Sequence, residues 1–451
     1  MNKNDIFRIL ADWNFWENSQ DTGFFRPGPV ARLTELIKTG QIAVVTGPRR
    51  AGKSFVLKQT ARALIEAGTP KKDVLLINLE DPRFAELDTE LLTRIFETYV
   101  EFMSPGKKPY IFLDEIQEVE GWEKWVNYMR ELGKAHIIIS GSNAKLLSRE
   151  LGTLLTGRHV DLSLFPLSFG EFLAFNGVKI EGAAGLEWKK AELAKYLKEY
   201  LDFGAYPEVV LNESKKTLLF AYYDDVVTKD LIRRFKIRKH EGLKSIIRFY
   251  MSNISVLTTF SSTEKFIQVS ADTIEKFSGY LEQSYLLFFL KRFSFKVKEQ
   301  EKSPRKVYSV DTGLANAIGF RNSENAGRAA ENAVFLDLKR RQALNPGLEL
   351  YYWKDEYHKE VDFVLKNNLK VIQLIQVCWS MDAIKTRERE IKNLLKAAAV
   401  FKEAELLVIS EELEGEDKAE DKTIKYVPLW KWLGSNEVKG LEGLSIGKGP
   451  L

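Results

Sequence analysis

Short apolar segments alternate with amphipathic segments along the first 175 residues of the chain. Four apolar runs, at 42–45, 74–79, 109–113 and 136–140, have the length of single strands, and segments with helical spacing lie between them. Runs that are apolar at every position are typical of strands buried on both faces of a parallel sheet. The pattern therefore predicts an α/β domain with a parallel sheet over residues 1–175.

The middle of the chain changes to helical spacing. Residues 188–201 and 218–234 predict two helices, which we assign to a small helical lid over residues 176–238. From residue 243, three helical segments lead to an apolar strand, a polar stretch and a second strand. Three helices and a two-stranded hairpin describe a winged helix, predicted here for residues 239–322 with 270–283 as its recognition helix.

The last third of the chain opens with an amphipathic helix at 327–341. Further strands are predicted at 348–353, 360–365, 369–373, 374–378, 404–409 and 424–429, with a helix at 381–399 and a charged loop at 411–422. This order of elements resembles the restriction-endonuclease-like fold, and we predict an α/β domain of that kind over residues 323–434. We expect residues 435–451 to form a flexible tail.

Composition narrows the class of protein. The 451 residues are 45% apolar and 29% charged, which is ordinary for a globular protein of two to four domains. No run approaches the roughly 18 apolar residues of a membrane helix, and the polar start is not a signal peptide. One cysteine excludes an internal disulfide framework. We therefore expect a cytoplasmic protein with no membrane partner.

The segment from Gly47 to Ser54 has the form G-x-x-x-x-G-K-S and lies between a predicted strand and a predicted helix. Its residues are Gly47, Pro48, Arg49, Arg50, Ala51, Gly52, Lys53 and Ser54, followed by Phe55 at the start of the helix. Glycines allow the backbone to wrap a phosphate, and the amides at a helix start attract an anion. These nine residues are predicted to bind ATP, with Lys53 reaching the β- and γ-phosphates and the Ser54 hydroxyl binding Mg²⁺.

Two acids follow the third apolar run. An apolar strand that ends in Asp114 and Glu115 is the Walker B pattern. Asp114 would hold Mg²⁺, and Glu115 would orient and deprotonate the attacking water. An acidic turn is the alternative interpretation, but the P-loop upstream favours the functional one.

Three further polar residues are candidates for the same site. Ser142 and Asn143 follow the fourth strand, where either side chain could sense the γ-phosphate or cap the next helix. Arg158 is a candidate arginine finger, acting in cis or from a neighbouring subunit, with a solvated arginine as the alternative. Of these, Asn143 and Arg158 join Glu115 and Lys53 as predicted catalytic residues.

The motifs of the chain, taken together, resemble a known family. GPRRAGKS, INLEDPRF, IFLDEIQ, ISGSNAKLLS, LLTGRHVDLSLFPLSFGEFL and FGAYPEVV are similar to those of prokaryotic AAA-type ATPases that carry a characteristic C-terminal domain of unknown function. The resemblance covers residues 20–430 and implies an AAA-like αβα core. It implies the same roles for Lys53, Ser54, Asp114 and Glu115, and it favours Asn143 and Arg158.

The restriction-endonuclease resemblance implies a second site, which this sequence fills incompletely. Such a site has a helix Glu, a strand Asp and a following E-x-K, in which the carboxylates hold Mg²⁺ and the lysine activates water. Glu331 and Asp362 match, but Gln376 and Cys378 stand where the Glu and Lys belong. Lys370 on the preceding strand could substitute for the lysine, although nothing in the spacing requires it. We expect a degenerate site at Glu331, Asp362 and Gln376, without nuclease activity.

The hairpin of the predicted winged helix is rich in basic residues. These are Lys291, Arg292, Lys296, Lys298, Lys302, Arg305 and Lys306. They could contact a DNA backbone, although the predicted recognition helix has only Lys276 as a basic residue beside several acids. The sequence therefore predicts a Mg²⁺-dependent ATPase that acts as a switch or motor on double-stranded DNA or on a protein. An ATP-bound scaffold and an ATP-regulated nuclease are the alternatives, and a homo-oligomer is left open.

Overall fold

The computed structural model describes residues 1–106, 108–142, 157–179, 188–320, 326–380, 384–419 and 421–434. The chain divides into two compact units, Met1–Leu164 and Phe165–Leu451. Asn143 and the tail predicted at 435–451 lie outside the described residues.

The first unit contains a five-stranded parallel sheet in the order β2-β3-β4-β1-β5. Its strands are β1 (Ile42–Thr46), β2 (Val74–Asn78), β3 (Tyr110–Asp114), β4 (His136–Gly141) and β5 (His159–Ser163). Its α-helices are α1 (Lys3–Trp13), α2 (Pro27–Lys38), α3 (Lys53–Glu66), α4 (Thr89–Met103) and α5 (Trp122–Glu131). The four strands predicted from apolar runs are therefore confirmed.

Both faces of this sheet are covered. Ile42 and Val44 pack in a buried cluster with residues of α1, α4 and α5, whereas Ala43 and Val45 pack on the other face with α2 and α3. Because successive side chains of a strand point to opposite faces, a strand covered on both sides is apolar at every position. The α/β class and parallel sheet predicted for this part of the chain are confirmed.

The second unit begins with helices and contains two sheets. Its α-helices are α6 (Phe169–Phe175), α7 (Lys190–Phe203), α8 (Pro207–Val210), α9 (Lys215–Asp225), α10 (His240–Ser252), α11 (Phe260–Ile267), α12 (Ala271–Gln283), α13 (Val297–Lys302), α14 (Thr312–Ile318), α15 (Ala326–Leu344) and α16 (Ile384–Val400). A π-helical segment, Val226–Arg233, continues α9. A three-stranded antiparallel sheet has the order β6-β8-β7, with β6 (Leu257–Thr258), β7 (Leu287–Leu290) and β8 (Arg305–Ser309).

The other sheet of the second unit is mixed and has six strands in the order β13-β14-β12-β11-β10-β9. Its strands are β9 (Leu348–Lys354), β10 (Glu360–Asn367), β11 (Lys370–Val377), β12 (Glu405–Ser410), β13 (Gly415–Ala419) and β14 (Lys422–Pro428). Helix α15 leads into β9, and α16 connects the parallel pair β11 and β12.

Two sequence predictions in this sheet are wrong. The segment 369–378, predicted as two strands, is the single strand β11, because no turn residue interrupts its apolar positions. The segment 411–422, predicted as a charged loop, contains β13, an edge strand that pairs antiparallel with β14. Charged side chains are common on exposed edge strands, and they hide the strand signal.

The order of α10, β6, α11, α12, β7 and β8 agrees with the helices and hairpin predicted for residues 239–322, with the short helix α13 added between the hairpin strands. The winged-helix and restriction-endonuclease-like assignments remain interpretations of element order.

Candidate functional site

The loop between β1 and α3 requires glycine at its first position. Gly47 has a φ of 151°, and a Cβ placed on it would lie 2.0 Å from the backbone oxygen of Leu164. Gly52 caps α3 with a φ of 92°, and Arg50 between them also has a positive φ, of 68°. The loop therefore turns sharply just before the first amides of a 14-residue helix, which is the arrangement that binds a phosphate.

Lys53 is the first residue of α3, and its side chain is almost completely buried. Its Nζ donates to the carbonyl oxygens of Gly47 and Pro48, both at 3.2 Å, and lies 3.5 Å from Oε1 of Glu115. The ammonium thus folds back on the loop, with long contacts to its neighbours. Such contacts can be exchanged for those of an incoming anion.

Asp114 ends β3 beside two hydroxyl groups. The hydroxyl of Ser54 bonds to its carboxylate, and Ser140 Oγ donates to its Oδ1. Burial, and then the nearby Glu115, raise the pKa of Asp114 above its usual value. A hydroxyl beside a carboxylate is the protein part of a P-loop Mg²⁺ site, whose remaining ligands come from phosphates and water. Ser54 and Asp114 therefore fit Mg²⁺.

Glu115 follows Asp114 in the left-handed region, with φ 53° and ψ 49°. Its backbone N–H donates to Ser140 Oγ at 3.1 Å, and the Gln117 amide donates to its carboxylate. Burial alone would raise the pKa of Glu115, but the Lys53 ammonium and the other donors outweigh it and hold the pKa below its usual value. A strained, buried and ionised glutamate is consistent with the predicted general base.

The end of β4 holds one residue that the sequence prediction named and one that it missed. Ser142 follows Gly141, which pairs with Thr46 of β1, so Ser142 lies level with the first P-loop residue. Its hydroxyl is buried and makes no hydrogen bond with any protein atom that the structure describes. Ser140, which links Asp114 to Glu115, was missed. Its polar side chain inside an apolar strand was the available signal.

Arg49 lies within the loop, and Phe55 lies in the first turn of α3. The Arg49 guanidinium lies 3.1 Å from Oε1 of Glu80, which follows β2, and its charge also contributes to lowering the pKa of Glu115. Phe55 is exposed beside Gly23. Arg49 therefore adds positive charge near the predicted base, whereas the Phe55 side chain is exposed, and contact of either residue with a nucleotide stays a prediction.

Arg158 is not brought to this site. Its backbone oxygen accepts from the N–H of Ile42, at the start of β1, and its guanidinium donates to Asn127 at 2.9 Å and to Glu131 at 2.7 Å. Because β1 and β5 are parallel, Arg158 lies at the amino end of the sheet and the P-loop at the carboxyl end. A role in cis is incompatible with this position, and a role toward a neighbouring subunit remains a prediction.

The predicted nuclease-like residues do come together, around a lysine. Glu331 is on α15 and Asp362 on β10, and Lys306 Nζ of β8 lies 3.1 Å and 2.7 Å from their carboxylates. Burial, and then Asp362, raise the pKa of Glu331 to about 8. The prediction that Lys306 is an exposed DNA-contacting charge is wrong, because its side chain is only 3% exposed.

Gln376 lies next to Asp362, and both ends of its side-chain amide are used in hydrogen bonds within the protein. Its Oε1 accepts from the N–H of Asp362 at 3.3 Å, and its Nε2 donates to Glu390 at 2.8 Å. Lys370 is exposed and pairs with Glu403, so it does not replace the missing lysine. Among the described residues, no group of three or more His, Cys, Asp or Glu side chains is arranged to hold a metal ion.

The first unit thus defines a P-loop nucleotide-binding protein, and the comparisons with known proteins agree. A family model described as an AAA domain matches residues 39–173. Two models described as domains of unknown function match residues 194–325 and 326–432, the second being DUF4143.

Two relatives match most of the chain. Uncharacterized protein MJ1544 of Methanocaldococcus jannaschii is 34% identical over 87% of this chain and 88% of its own length. An uncharacterized protein of Haemophilus influenzae is 32% identical over 82% of this chain and 90% of its own length. The chain belongs to the family of these proteins, AAA-type P-loop ATPases with a C-terminal DUF4143 domain.

Among solved structures, the chain is similar to the Walker-type ATPase PABY2304 of Pyrococcus abyssi, with a TM-score of 0.42 and 15% identity over 68% of this chain and 99% of that one.

No helix in the described ranges combines the length and the apolar character that crossing a bilayer needs.

Proposed function

We propose that this protein is a Mg²⁺-dependent ATPase that converts ATP and water to ADP and phosphate. The proposal rests mainly on one observation. Four residues, Lys53, Ser54, Asp114 and Glu115, lie together at the carboxyl ends of the parallel strands. These are the cation, the two metal-binding groups and the base that phosphoryl transfer to water requires.

Each residue has a separate task in the proposed reaction. The P-loop amides and Lys53 bind the phosphates, and Ser54 and Asp114 would hold Mg²⁺, which would supply positive charge to the phosphate oxygens. Glu115 accepts a proton from the attacking water as the water oxygen forms a bond to the γ-phosphorus. The bond between the γ-phosphorus and the β–γ bridging oxygen breaks, and that oxygen leaves with ADP. Ser140 keeps Asp114 and Glu115 in position, and the Ser142 hydroxyl is available to the γ-phosphate.

We further propose that ATP turnover acts as a switch or motor on a partner, and that the partner is a protein rather than DNA. The charges of the basic hairpin favour this choice. Lys291 lies 2.6 Å and Arg305 3.6 Å from Glu301, and Lys296 lies 3.1 Å from Glu299. Acidic side chains of α13 thus neutralise part of the charge that a DNA backbone would need.

The test is steady-state ATP hydrolysis with Mg²⁺, measured with and without double-stranded DNA, with Lys53→Ala as the blank. We expect turnover that depends on Lys53 and does not respond to DNA. Turnover equal to the blank would reject the ATPase and leave a nucleotide-bound scaffold. Clear stimulation by DNA would reject the protein partner.

A further inference from the structure

A cavity of about 350 Å³ lies in the second unit, in the wedge between β7 and β9. The chain segments of these two strands pair in parallel at one bridge, between Arg292 and Tyr352. The cavity is lined by the residues just before that bridge on each side, 288–291 and 349–351, and by residues of α12 and α15. Its volume is at the lower end of the range of about 300–1,000 Å³ that is usual for small-molecule sites. A ligand that fills it would therefore be a small molecule.

The walls of the cavity are mostly apolar. They include Phe288, Phe289 and Leu290 of β7, Phe335 of α15 and Leu350 of β9, and each of these side chains is at most 8% exposed. Burying apolar surface of a ligand against such walls drives its binding, while a few polar groups fix its orientation. The cavity thus fits a ligand with an apolar body.

Lys339 of α15 supplies a polar group inside the cavity. Its Nζ donates to Gln342 Oε1 at 2.7 Å and lies 5.7 Å from the centre of the Phe288 ring. Gln342 is itself fixed, because its Nε2 donates to the backbone oxygen of Leu348 at 3.0 Å. An ammonium has three N–H donors, and one of them is used for a hydrogen bond within the part of the chain that the structure describes. Lys339 therefore keeps donors for a ligand.

The acidic side chains around the cavity do not neutralise this ammonium. Lys339 forms no ion pair with any residue in the described ranges, whereas Glu349 pairs with Lys366, and Lys291 pairs with a glutamate of α13. Glu282 also lines the cavity, but its side chain is exposed. Burial lowers the pKa of Lys339, and the charge of Glu282 opposes this shift. A mostly buried positive charge without a carboxylate partner favours an anionic ligand.

We propose that this cavity binds a small organic acid, with its apolar body between Phe288 and Leu350 and its carboxylate on the Lys339 ammonium. The carboxylate would supply the opposite charge and accept the hydrogen bonds that the ammonium can still donate. An uncharged molecule of the same shape would contact the same walls without that charge-assisted bond. The site should therefore prefer the acid over its neutral analogue.

The test is isothermal titration calorimetry of the full-length chain with hydrocinnamate and with its uncharged amide, hydrocinnamamide. Lys339→Met is compared with the wild type and with Lys370→Met, which removes an exposed lysine paired to Glu403. We expect the wild type to bind one hydrocinnamate per chain, and Lys339→Met to bind it about tenfold or more weakly, because a hydrogen bond between charged groups is lost. Binding of the amide should change less than about twofold in Lys339→Met, and Lys370→Met should bind both probes as the wild type does.

Three results would overturn the proposal: no saturable binding of hydrocinnamate by the wild type, equal losses for the acid and the amide in Lys339→Met, or the same loss in Lys370→Met. Circular dichroism checks that each variant folds. If Lys339→Met does not fold, Leu350→Trp takes its place, because a larger side chain in the wall reduces the volume of the cavity. It should weaken the binding of both probes, and unchanged binding would contradict the site.

A peptide end could offer the same carboxylate as a free acid. N-acetylglycylphenylalanine, which carries its carboxylate at the end of a short peptide, is therefore titrated in parallel. Weaker binding of this peptide than of hydrocinnamate is expected from the small cavity. Tighter binding of the peptide would overturn a free acid as the source of the carboxylate.

Discussion

Lys53 and Lys306 are both buried lysines that face carboxylates, one in each unit of the chain, but their surroundings differ. Lys53 has two carbonyl contacts at 3.2 Å and one carboxylate at 3.5 Å. Lys306 has the oxygens of three carboxyl groups at 2.7–3.1 Å. The same residue type is therefore held loosely in one place and saturated in the other.

The backbone around Lys53 also differs from the backbone around Lys306. The loop around Lys53 has positive φ at Gly47, Arg50 and Gly52, and the buried hydroxyl of Ser142, after the neighbouring strand β4, has no hydrogen-bond partner in the part of the chain that the structure describes. Lys306 and two of its partners lie on the paired strands β8 and β10, and β10 shifts its register against β9 between Val361 and Val364. A binding site keeps charge and hydrogen-bonding capacity for its ligand, whereas a structural cluster uses them internally. Residue types alone do not distinguish the two cases, and distances do.

The largest expected effect is on ATP turnover, from Glu115→Gln. Loss of the general base should lower turnover by about 10²–10⁴-fold, while ATP still binds through Lys53 and Ser54. Phosphate release gives the rate, and a fluorescent ATP analogue gives the affinity. Glu120→Gln, the same change at an exposed position, is the matched control. Normal turnover in Glu115→Gln would show that another group is the base.

A large effect on stability is expected from Lys306→Met. The change leaves buried carboxylates without their counter-ion, and we expect the free energy of unfolding to fall by about 3–5 kcal/mol. Urea unfolding followed by circular dichroism measures it. Lys291→Met removes an exposed pair and should cost less than about 1 kcal/mol. Equal losses in the two variants would contradict the structural role of Lys306.

The Glu331 carboxyl group beside Lys306 should make the stability of the second unit depend on pH. The pKa of Glu331 is raised to about 8 in the folded chain, so the fold favours its protonated form. Its contribution to the free energy of unfolding is therefore complete below about pH 4.5, its ordinary pKa, and is lost as the pH rises through 8, by on the order of 5 kcal/mol.

Glu331→Gln, which is neutral at every pH, should lack this decrease while it keeps an oxygen for Tyr308 and Lys306, which lie 2.7 Å and 3.1 Å from Glu331 Oε1. Urea unfolding at pH 5 and pH 9 tests it. Identical pH profiles of the wild type and the variant would show that the Glu331 carboxyl is not protonated in the fold.

A smaller effect is expected from Ser140→Ala in the nucleotide site. Its hydroxyl donates to the Asp114 carboxylate and accepts from the backbone N–H of Glu115, and so holds the two residues together. Groups that orient a metal ligand typically contribute about 10–100-fold. We expect a loss of that size in turnover and a rise in the Mg²⁺ concentration for half-maximal rate. A change in ATP affinity alone would not fit this positioning role.

The smallest effect is expected from Arg158→Ala. Arg158 forms an exposed ion pair with Glu131 at the amino ends of the strands, whereas the P-loop lies at their carboxyl ends. Turnover should stay within about twofold, and stability within about 1 kcal/mol, of the wild type. Glu131→Ala should behave alike. A loss of turnover by orders of magnitude in Arg158→Ala alone would support an arginine finger in a neighbouring subunit.

The sequence predicted the nucleotide site better than the carboxylate cluster, for a physical reason. Lys53 and Ser54 belong to one short motif, and Asp114 ends a strand whose apolar pattern is clear. By contrast, Lys306 meets Glu331 and Asp362 from positions 25 and 56 residues away. A lysine on a strand next to other basic residues suggests an exposed charge, and only the packing of β8 buries it.

The remaining differences have similar causes. Ser140 was missed because its role depends on β4 lying between β3 and β1, and strand order cannot be deduced from local pattern. Arg158 was predicted as an arginine finger from its residue type and from the family resemblance, and the parallel pairing of β1 with β5 places it at the amino end of the strands, away from the P-loop. Which side chains lie together was predictable where a local motif encodes it, and was not where the topology of the sheets brings distant residues together.

The most direct test of the account is the ATP affinity of Lys53→Met and Lys306→Met, measured side by side under conditions in which both are folded. We predict that Lys53→Met weakens ATP binding roughly 10–100-fold, because a charged hydrogen bond to phosphate is lost, and that Lys306→Met changes it less than about twofold. Unchanged affinity in Lys53→Met, or an equal loss in both variants, would contradict the central claim that only the loosely held lysine is kept for the nucleotide.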